Sequence, residues 1–452
     1  MKKRTKLCLI SASLLTALAL LGATPPPLRA QASPQAAPPA APSGAPAASA
    51  YEGKAITEYS PGKEAYQKAV DYSSAHERHY FLGFLYGLVV LVVVLRGRIA
   101  PRYRDWAERD SKRRLGQVLI FGPLLFLTLA VLGLPTDAWD HSLERSFGLS
   151  VQGWASWFTD WITNQIVLLI VGTLLVWILY GVIRRSPRRW WLYFWMASIP
   201  VLLALFFVQP LVIDPLFYQF KPLQTTEPAL AAEISRVVQH GGMNIPPERM
   251  FEMNASSKTT GLNAYVTGFG SSKRAVIWDT TIQKATTPEV LFVFGHEMGH
   301  YVLHHIPKEI CIDAGILLVL AFLASRMAAR MVARRGERWT VHSVDDWASL
   351  PALILIFTVL GFLATPAFNA VSRHFEHEAD RYGLEVIHGI VPDANQVAAH
   401  YFEKSGEINL SDPKPGTIEK LWMFDHPTRP ERVHFVATYD PWSHGEAPEY
   451  VR

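Results

Sequence analysis

His296-Glu297-Met298-Gly299-His300 sets two histidines four residues apart, with a carboxylate between them. On a helix this spacing stacks both imidazoles on one face, where they can reach one Zn²⁺, and leaves Glu297 beside the metal as general base for an attacking water. That is the chemistry of a metal-dependent peptide hydrolase. A catalytic zinc keeps three protein ligands and one open position, so a third ligand must come from elsewhere. His304 and His305 are near in sequence, but ligands at i, i+4 and i+8 are strung along about 12 Å of helix axis and cannot converge. Both read better as solvated residues at the helix end. The segment Ser372 to Asp380 is the stronger source. Glu376 and Asp380 are four apart and share a helix face, so Glu376 is expected to bind zinc while Asp380 accepts the free N–H of a ligating histidine. Small Ala379 lets the two helices approach. His374, His377 and Glu378 are expected to be solvated or snorkelling. The only cysteines, Cys8 and Cys311, lie in apolar runs. A thiolate site is therefore excluded, and one zinc per chain held by histidine and carboxylate is expected.

The elements that must position these residues are legible around them. Thr287-Pro288-Glu289 reads as an N-cap, a proline at N1 and an acid in the first turn, opening a helix that carries Val290 to Leu303. Upstream, Ala264 to Thr267 and Ala275 to Trp278 are short β-prone runs joined by a Gly/Ser-rich link, a β-hairpin or two strands of a small sheet. Pro228 to His240 has helical spacing.

The rest of the chain is built for lipid. Of its 452 residues 50% are hydrophobic and 18% charged, which argues against both a wholly soluble protein and a disordered one. Apolar blocks near 80–95, 117–134, 164–183, 190–209, 310–325 and 349–366 each approach, with their flanks, the roughly 20 residues of a bilayer span. The expected fold class is a mainly α polytopic membrane protein with a gluzincin-like zinc metallopeptidase domain and a small β-hairpin or sheet. Its parts are a signal peptide or first transmembrane helix (1–32), a Pro/Ala-rich tether (33–64), four N-terminal spans (65–226) and a metallopeptidase domain with two further spans (227–452). Arginines crowd three alternate connections, Arg96 to Arg114, Arg184 to Arg189 and Arg326 to Arg338. These are the expected cytoplasmic loops, which turns the catalytic side outward and makes the acidic stretch 135–161 an external loop. The net charge of +4 gives no reason to expect nucleic acid. The expected partners are the bilayer and a peptide or membrane-protein substrate, and oligomeric state is not encoded legibly. Six spans and basic loops would also suit a transporter, but paired repeats are missing and intramembrane charges are few. A catalytically silent scaffold is a third reading.

The motifs together resemble the integral-membrane zinc metallopeptidases typified by CAAX prenyl protease 1, in a bacterial member. They are His296 to His300, Ser372-Arg373-x-x-Glu376-x-x-Ala379-Asp380, Asn263 to Gly268, Ile213 to Phe217 with Phe220 to Leu223, and His426-Pro427 with Arg432. The heat-shock type of membrane quality-control protease shares the zinc motifs but not the Ile213 to Leu223 element. The resemblance implies cleavage of small or prenylated peptides near their C-termini. It also implies that Asn263, Ala264 and Tyr265 form an edge strand on which substrate backbone lies, and that His426 and Arg432 line the site and stabilise the oxyanion. An outward catalytic side and a signal-like segment imply in turn a bacterial envelope protein, of the inner or cell membrane, without prenylated clients.

Overall fold

The computed structural model describes residues 55–267 and 274–451. The signal or first-helix segment 1–32 and the tether up to residue 54 lie outside the described residues, as does the link 268–273. The N-terminal half is helical: α1 (Lys63–Arg96), α2 (Ile99–Asp110), α3 (Arg114–Ser146), α4 (Trp154–Arg185) and α5 (Trp190–Val208). There follow β1 (Phe220–Pro222), α6 (Pro228–His240), β2 (Met250–Met253), β3 (Ala264–Thr267) and β4 (Arg274–Trp278). The chain closes with α7 (Thr287–Val302), α8 (His305–Trp339), α9 (Leu350–Ile387), α10 (Ala394–Ile408) and α11 (Arg429–Thr438).

Five helices among the described residues are long and apolar enough to cross a membrane: α1, α3, α4, α8 and α9 with its leading turn. The sixth expected span is broken, since Trp190–Leu205 and Gln209–Phe217 meet at 41°. Pro210 explains the break. It offers no N–H to the carbonyl four residues back and its ring crowds that carbonyl, so the backbone passes through a π-helical turn over Gln209–Ile213. The lipid faces are visible as exposed aliphatic stripes at helical spacing. Leu82, Leu85, Val89 and Val93 form one on α1, and Ile162, Ile166, Ile170 and Leu174 another on α4, while Leu91, Val94, Leu175 and Leu179 of the same helices are buried.

Two apolar cores divide the molecule. One joins the spans through Val94, Phe121, Leu179, Trp347 and Phe357; the other joins α6, the sheet, α7, α9 and α10 through Ile234, Val266, Phe292, Leu384 and Phe402. The expected hairpin is present, with Ala264 paired to Ile277 and Val266 to Ala275 in an antiparallel register. It belongs to a four-stranded mixed sheet of order β1-β2-β4-β3, in which β2 runs parallel to β4. Strand β3 is therefore an outer strand, and it packs on α7.

The acidic stretch 135–161, expected as a loop, is mostly helical. Helices α3 and α4 run beyond their apolar windows and leave only 147–153 between them. Asp137, Asp140, Glu144 and Asp160 are buried. Trp161 donates to Asp137 at 2.8 Å, His79 stands 3.4 Å from Asp140, and Lys258 pairs with Asp160 at 3.1 Å. That last pair, together with Val151 N donating to Lys258 O at 3.2 Å, fastens the α3–α4 turn to the second half. The three basic connections meet at one end of the bundle. Arg104 bridges to Asp346 at 2.6 Å, and Arg184 donates to Asp345 O at 3.1 Å and lies over Trp347.

Candidate metal centre

Helix α7 is set by a capping box, with Thr286 as N-cap and Glu289 returning a hydrogen bond of 2.6 Å to its backbone N–H. The cap is thus one residue earlier than Thr287, because Thr286 is the residue three before Glu289. Glu289 also anchors α10, receiving His400 Nδ1 at 2.7 Å and Lys404 Nζ at 2.7 Å. From this fixed start, His296, Glu297 and His300 all fall on the buried part of α7. Helix α9 approaches through small residues. A Cβ on Gly299 would stand 3.1 Å from the Ala379 Cα, and one on Gly383 would stand 2.9 Å from the His296 backbone nitrogen. This close approach carries Glu376 to the histidines.

His296 Nε2, His300 Nε2 and a Glu376 oxygen converge. The two nitrogens are 3.2 Å apart, Glu376 Oε2 is 3.2 Å from His296 Nε2, and Glu376 Oε1 is 3.3 Å from His300 Nε2. Ligands held about 2.0–2.1 Å from a tetrahedral zinc stand roughly 3.3 Å from one another. The two nitrogens and the Glu376 carboxylate, which faces one nitrogen through each oxygen, therefore fit a zinc ion, and all three residues are buried. His296 Nδ1 faces Asp380 Oδ1 at 2.8 Å, which fixes its proton on Nδ1 and leaves the Nε2 lone pair for the centre. Burial disfavours the His296 imidazolium, but the charge of Glu376 and the Asp380 hydrogen bond outweigh it and raise the pKa overall.

The other expected residues fall on two sides of this centre. Glu297 is buried, with Oε1 4.0 Å from His296 Nε2. His426 reaches in from the turn before α11, Nε2 3.0 Å from Glu376 Oε2, and Asp425 holds its Nδ1 at 2.7 Å. Burial pushes the Asp425 carboxyl up, but the His426 charge beside it more than offsets this and holds it below the ordinary carboxylate range. Arg432 is brought to the site but behind it. Its Nε donates to Asp380 Oδ2 at 2.8 Å and its Nη2 pairs with Oδ1, 3.4 Å from His296 Nδ1. Asn263 is anchored by Thr281, whose hydroxyl accepts its N–H and donates to its carbonyl, each at 2.8 Å. Ala264 and Tyr265 begin the outer strand.

The structure also shows a residue whose place sequence spacing misjudged. Helix α7 ends at Val302, and His304 takes a left-handed conformation (φ 55°) that starts α8 in a new direction. His304 is exposed, whereas His305 is folded back and buried. Its Nδ1 lies 3.2 Å from His300 Nδ1, its Nε2 lies 3.1 Å from Glu378, and its ring stacks on Phe375. Glu378 is accordingly a partner of His305 rather than a merely solvated acid.

Comparison with known proteins agrees with this geometry. Residues 224–440 match the model described as peptidase family M48, and residues 56–219 match that described as CAAX prenyl protease N-terminal, five membrane helices. The "Uncharacterized metalloprotease YhfN" of Bacillus subtilis is 35% identical, over 81% of this chain and 84% of that protein. The "CAAX prenyl protease 1 homolog" of Homo sapiens is 25% identical, over 75% of this chain and 78% of that protein. In fold, the crystal structure of S. mikatae Ste24p superposes with a TM-score of 0.70 at 21% identity, covering 84% of this chain and 90% of that one. With both family models matched and a 35%-identical relative covered over most of its length, the chain belongs to peptidase family M48, as a multi-pass membrane metalloprotease of the CAAX prenyl protease type.

Proposed function

We propose that this protein is a zinc-dependent endopeptidase of the bacterial inner membrane that hydrolyses peptide bonds in small or membrane-associated peptides. His296, His300 and Glu376 are the metal ligands and Glu297 the general base. The observation that carries the reading is the convergence of two buried histidine nitrogens, 3.2 Å apart, on the Glu376 carboxylate, whose two oxygens lie 3.2 and 3.3 Å from them, with the outer nitrogen of His296 held by Asp380. When bound, zinc supplies a Lewis acid that polarises the scissile carbonyl and makes water acidic enough to attack. Glu297 takes the proton from the attacking water and passes it to the leaving amine. His426 is oriented by Asp425 with its Nε2 toward the site, where its imidazolium form donates an N–H to the oxyanion. Arg432, with two of its nitrogens on Asp380 and one of these beside His296 Nδ1, acts as a positioning residue as well. It neutralises Asp380 so that the carboxylate can stay buried and hold His296. The outer strand from Asn263 through Ala264 and Tyr265 offers backbone groups to an extended peptide by strand addition.

The substrate reading follows from the side of the bilayer. With basic connections gathered at the end of the bundle away from the metal ligands, the positive-inside rule places the centre outside the cytoplasm. This favours exported or membrane-embedded clients, in processing or quality control, over the prenylated substrates that the eukaryotic relatives' names denote. Cleavage of a quenched peptide by the purified protein tests the activity: it should stop with phenanthroline and return with zinc, and cleavage indifferent to phenanthroline overturns the reading. Reporter fusions at residue 340 and at the C-terminus test the orientation. Residue 340 should report inside and the C-terminus outside; the reverse pattern overturns it.

A further inference from the structure

Five arginines line one groove at the end of the bundle opposite the metal centre. Arg96 closes α1, and Arg330, Arg334, Arg335 and Arg338 follow one another along the last turns of α8. The groove encloses about 500 Å³. Its remaining wall is apolar, with Leu95, Met327, Met331 and Leu355 among the side chains that line it. All five arginines are exposed, and none of them forms an ion pair with a carboxylate among the described residues. Other basic residues of the same region are already engaged: Arg104 with Asp346, Arg184 with Asp345 O and Trp347, and Arg98 with the Arg338 carbonyl. Like charges gathered without counter-charge repel one another, and an anion between them removes that repulsion.

The shape of the groove narrows the anion. Guanidinium groups pair with phosphate oxygens in a planar, bidentate fashion. A small soluble phosphate would need only those groups, whereas this groove sets methionine and leucine side chains directly beside them. Its place along the helices is also that of a headgroup layer. The 25 residues from His305 to Arg330 span roughly 38 Å of α8, about the thickness of a bilayer including its headgroup regions. The metal centre and the groove therefore belong to opposite leaflets, and a basic pocket between spans is the form that anionic headgroup sites take.

We propose that this groove is a binding site for an anionic phospholipid, its phosphate held by Arg330, Arg334 and Arg335 and its acyl chains lying against Leu95, Met327, Met331 and Leu355. The lipid would bridge α1 and α8, which the arginines otherwise push apart.

The test is lipid binding to the full-length chain in detergent, followed by native mass spectrometry. Phosphatidylglycerol, phosphatidylcholine with the same acyl chains, and inorganic phosphate are titrated in parallel. Phosphatidylglycerol should bind with a stoichiometry of one and at least tenfold tighter than either of the others. The variant Arg330→Gln/Arg334→Gln/Arg335→Gln should lose roughly 100-fold in that affinity, at about fivefold per arginine. The charge-matched variant Arg185→Gln/Arg188→Gln/Arg189→Gln should stay within about threefold of wild type, its arginines lying outside the groove. Equal binding of phosphatidylcholine overturns the proposal, as does equal loss in the two variants, which would mean diffuse attraction. Inorganic phosphate binding as tightly as the lipid also overturns it, in favour of a soluble-anion site. If the first variant does not fold, the comparison of the three ligands on wild-type protein still decides.

Discussion

Replacing Gly383 by Ala should damage the metal centre from behind without replacing a ligand. The new Cβ would lie 2.9 Å from the His296 backbone nitrogen and 3.1 Å from its Cα. Ordinary contacts begin near 3.5 Å, so α7 and α9 must separate locally by about 0.5 Å, and backbone atoms cannot turn aside as a side chain would. His296 and Glu376 stand on opposite sides of that seam, and metal sites tolerate only about 0.2 Å in ligand distance. Overpacking of this kind costs about 1–3 kcal/mol, which, set against metal binding, weakens zinc affinity by about 5- to 150-fold. Gly361 lies on the same helix, and a Cβ there meets nothing within 4 Å. Gly361→Ala is therefore the control and should bind zinc as the wild type does. Competition with a chromophoric chelator measures both. A Gly383→Ala protein with wild-type zinc affinity would refute the argument that the glycine seam sets the ligand geometry.

Two other expectations follow from the same framework. His305→Ala should weaken zinc binding by about 10- to 100-fold, since it removes the group that holds the outer nitrogen of His300; His305→Asn should recover part of the loss, and unchanged chelator competition in both would show His305 to be mere packing. For acid stability, burial pushes the Glu289 carboxyl up, but Lys404, the Thr286 N–H and His400 outweigh this and hold it below its ordinary value of 4.5. A carboxylate depressed in the folded state stabilises the fold fully above its unfolded value and less as pH falls below it. The thermal stability of the wild type should therefore fall below about pH 4.5. Glu289→Gln should be less stable at neutral pH and lose less on acidification; parallel pH profiles for the two proteins would contradict this.

The parts of this site that the sequence makes legible are those set by a single helix. His296, Glu297 and His300 are placed by the period of α7, Glu376 and Asp380 by that of α9, and Ala379 signals the close approach of the two. What stays hidden depends on contacts across elements. The turn at His304 takes a left-handed residue with no glycine to announce it, so a reading that continues the helix leaves His305 in solvent. Arg432 is recognisable as a site residue, yet its partner Asp380 lies 52 positions away and decides its role. The acids between 137 and 160 read as a loop in solvent because Trp161, His79 and Lys258, which meet them, come from three separate segments. Strand β1, three residues ending in Pro222, is too short to show alternation, and only pairing with β2 defines it.

The proposed chemistry has Glu297 act as the base beside a zinc held by His296, His300 and Glu376. It is tested most directly by reading metal content and peptide cleavage on the same preparations of wild type and Glu297→Gln. One zinc per chain is expected in both proteins, with a loss of cleavage of at least about 10²-fold in the variant. Cleavage by Glu297→Gln at the wild-type rate, or an active wild type free of zinc, would contradict it.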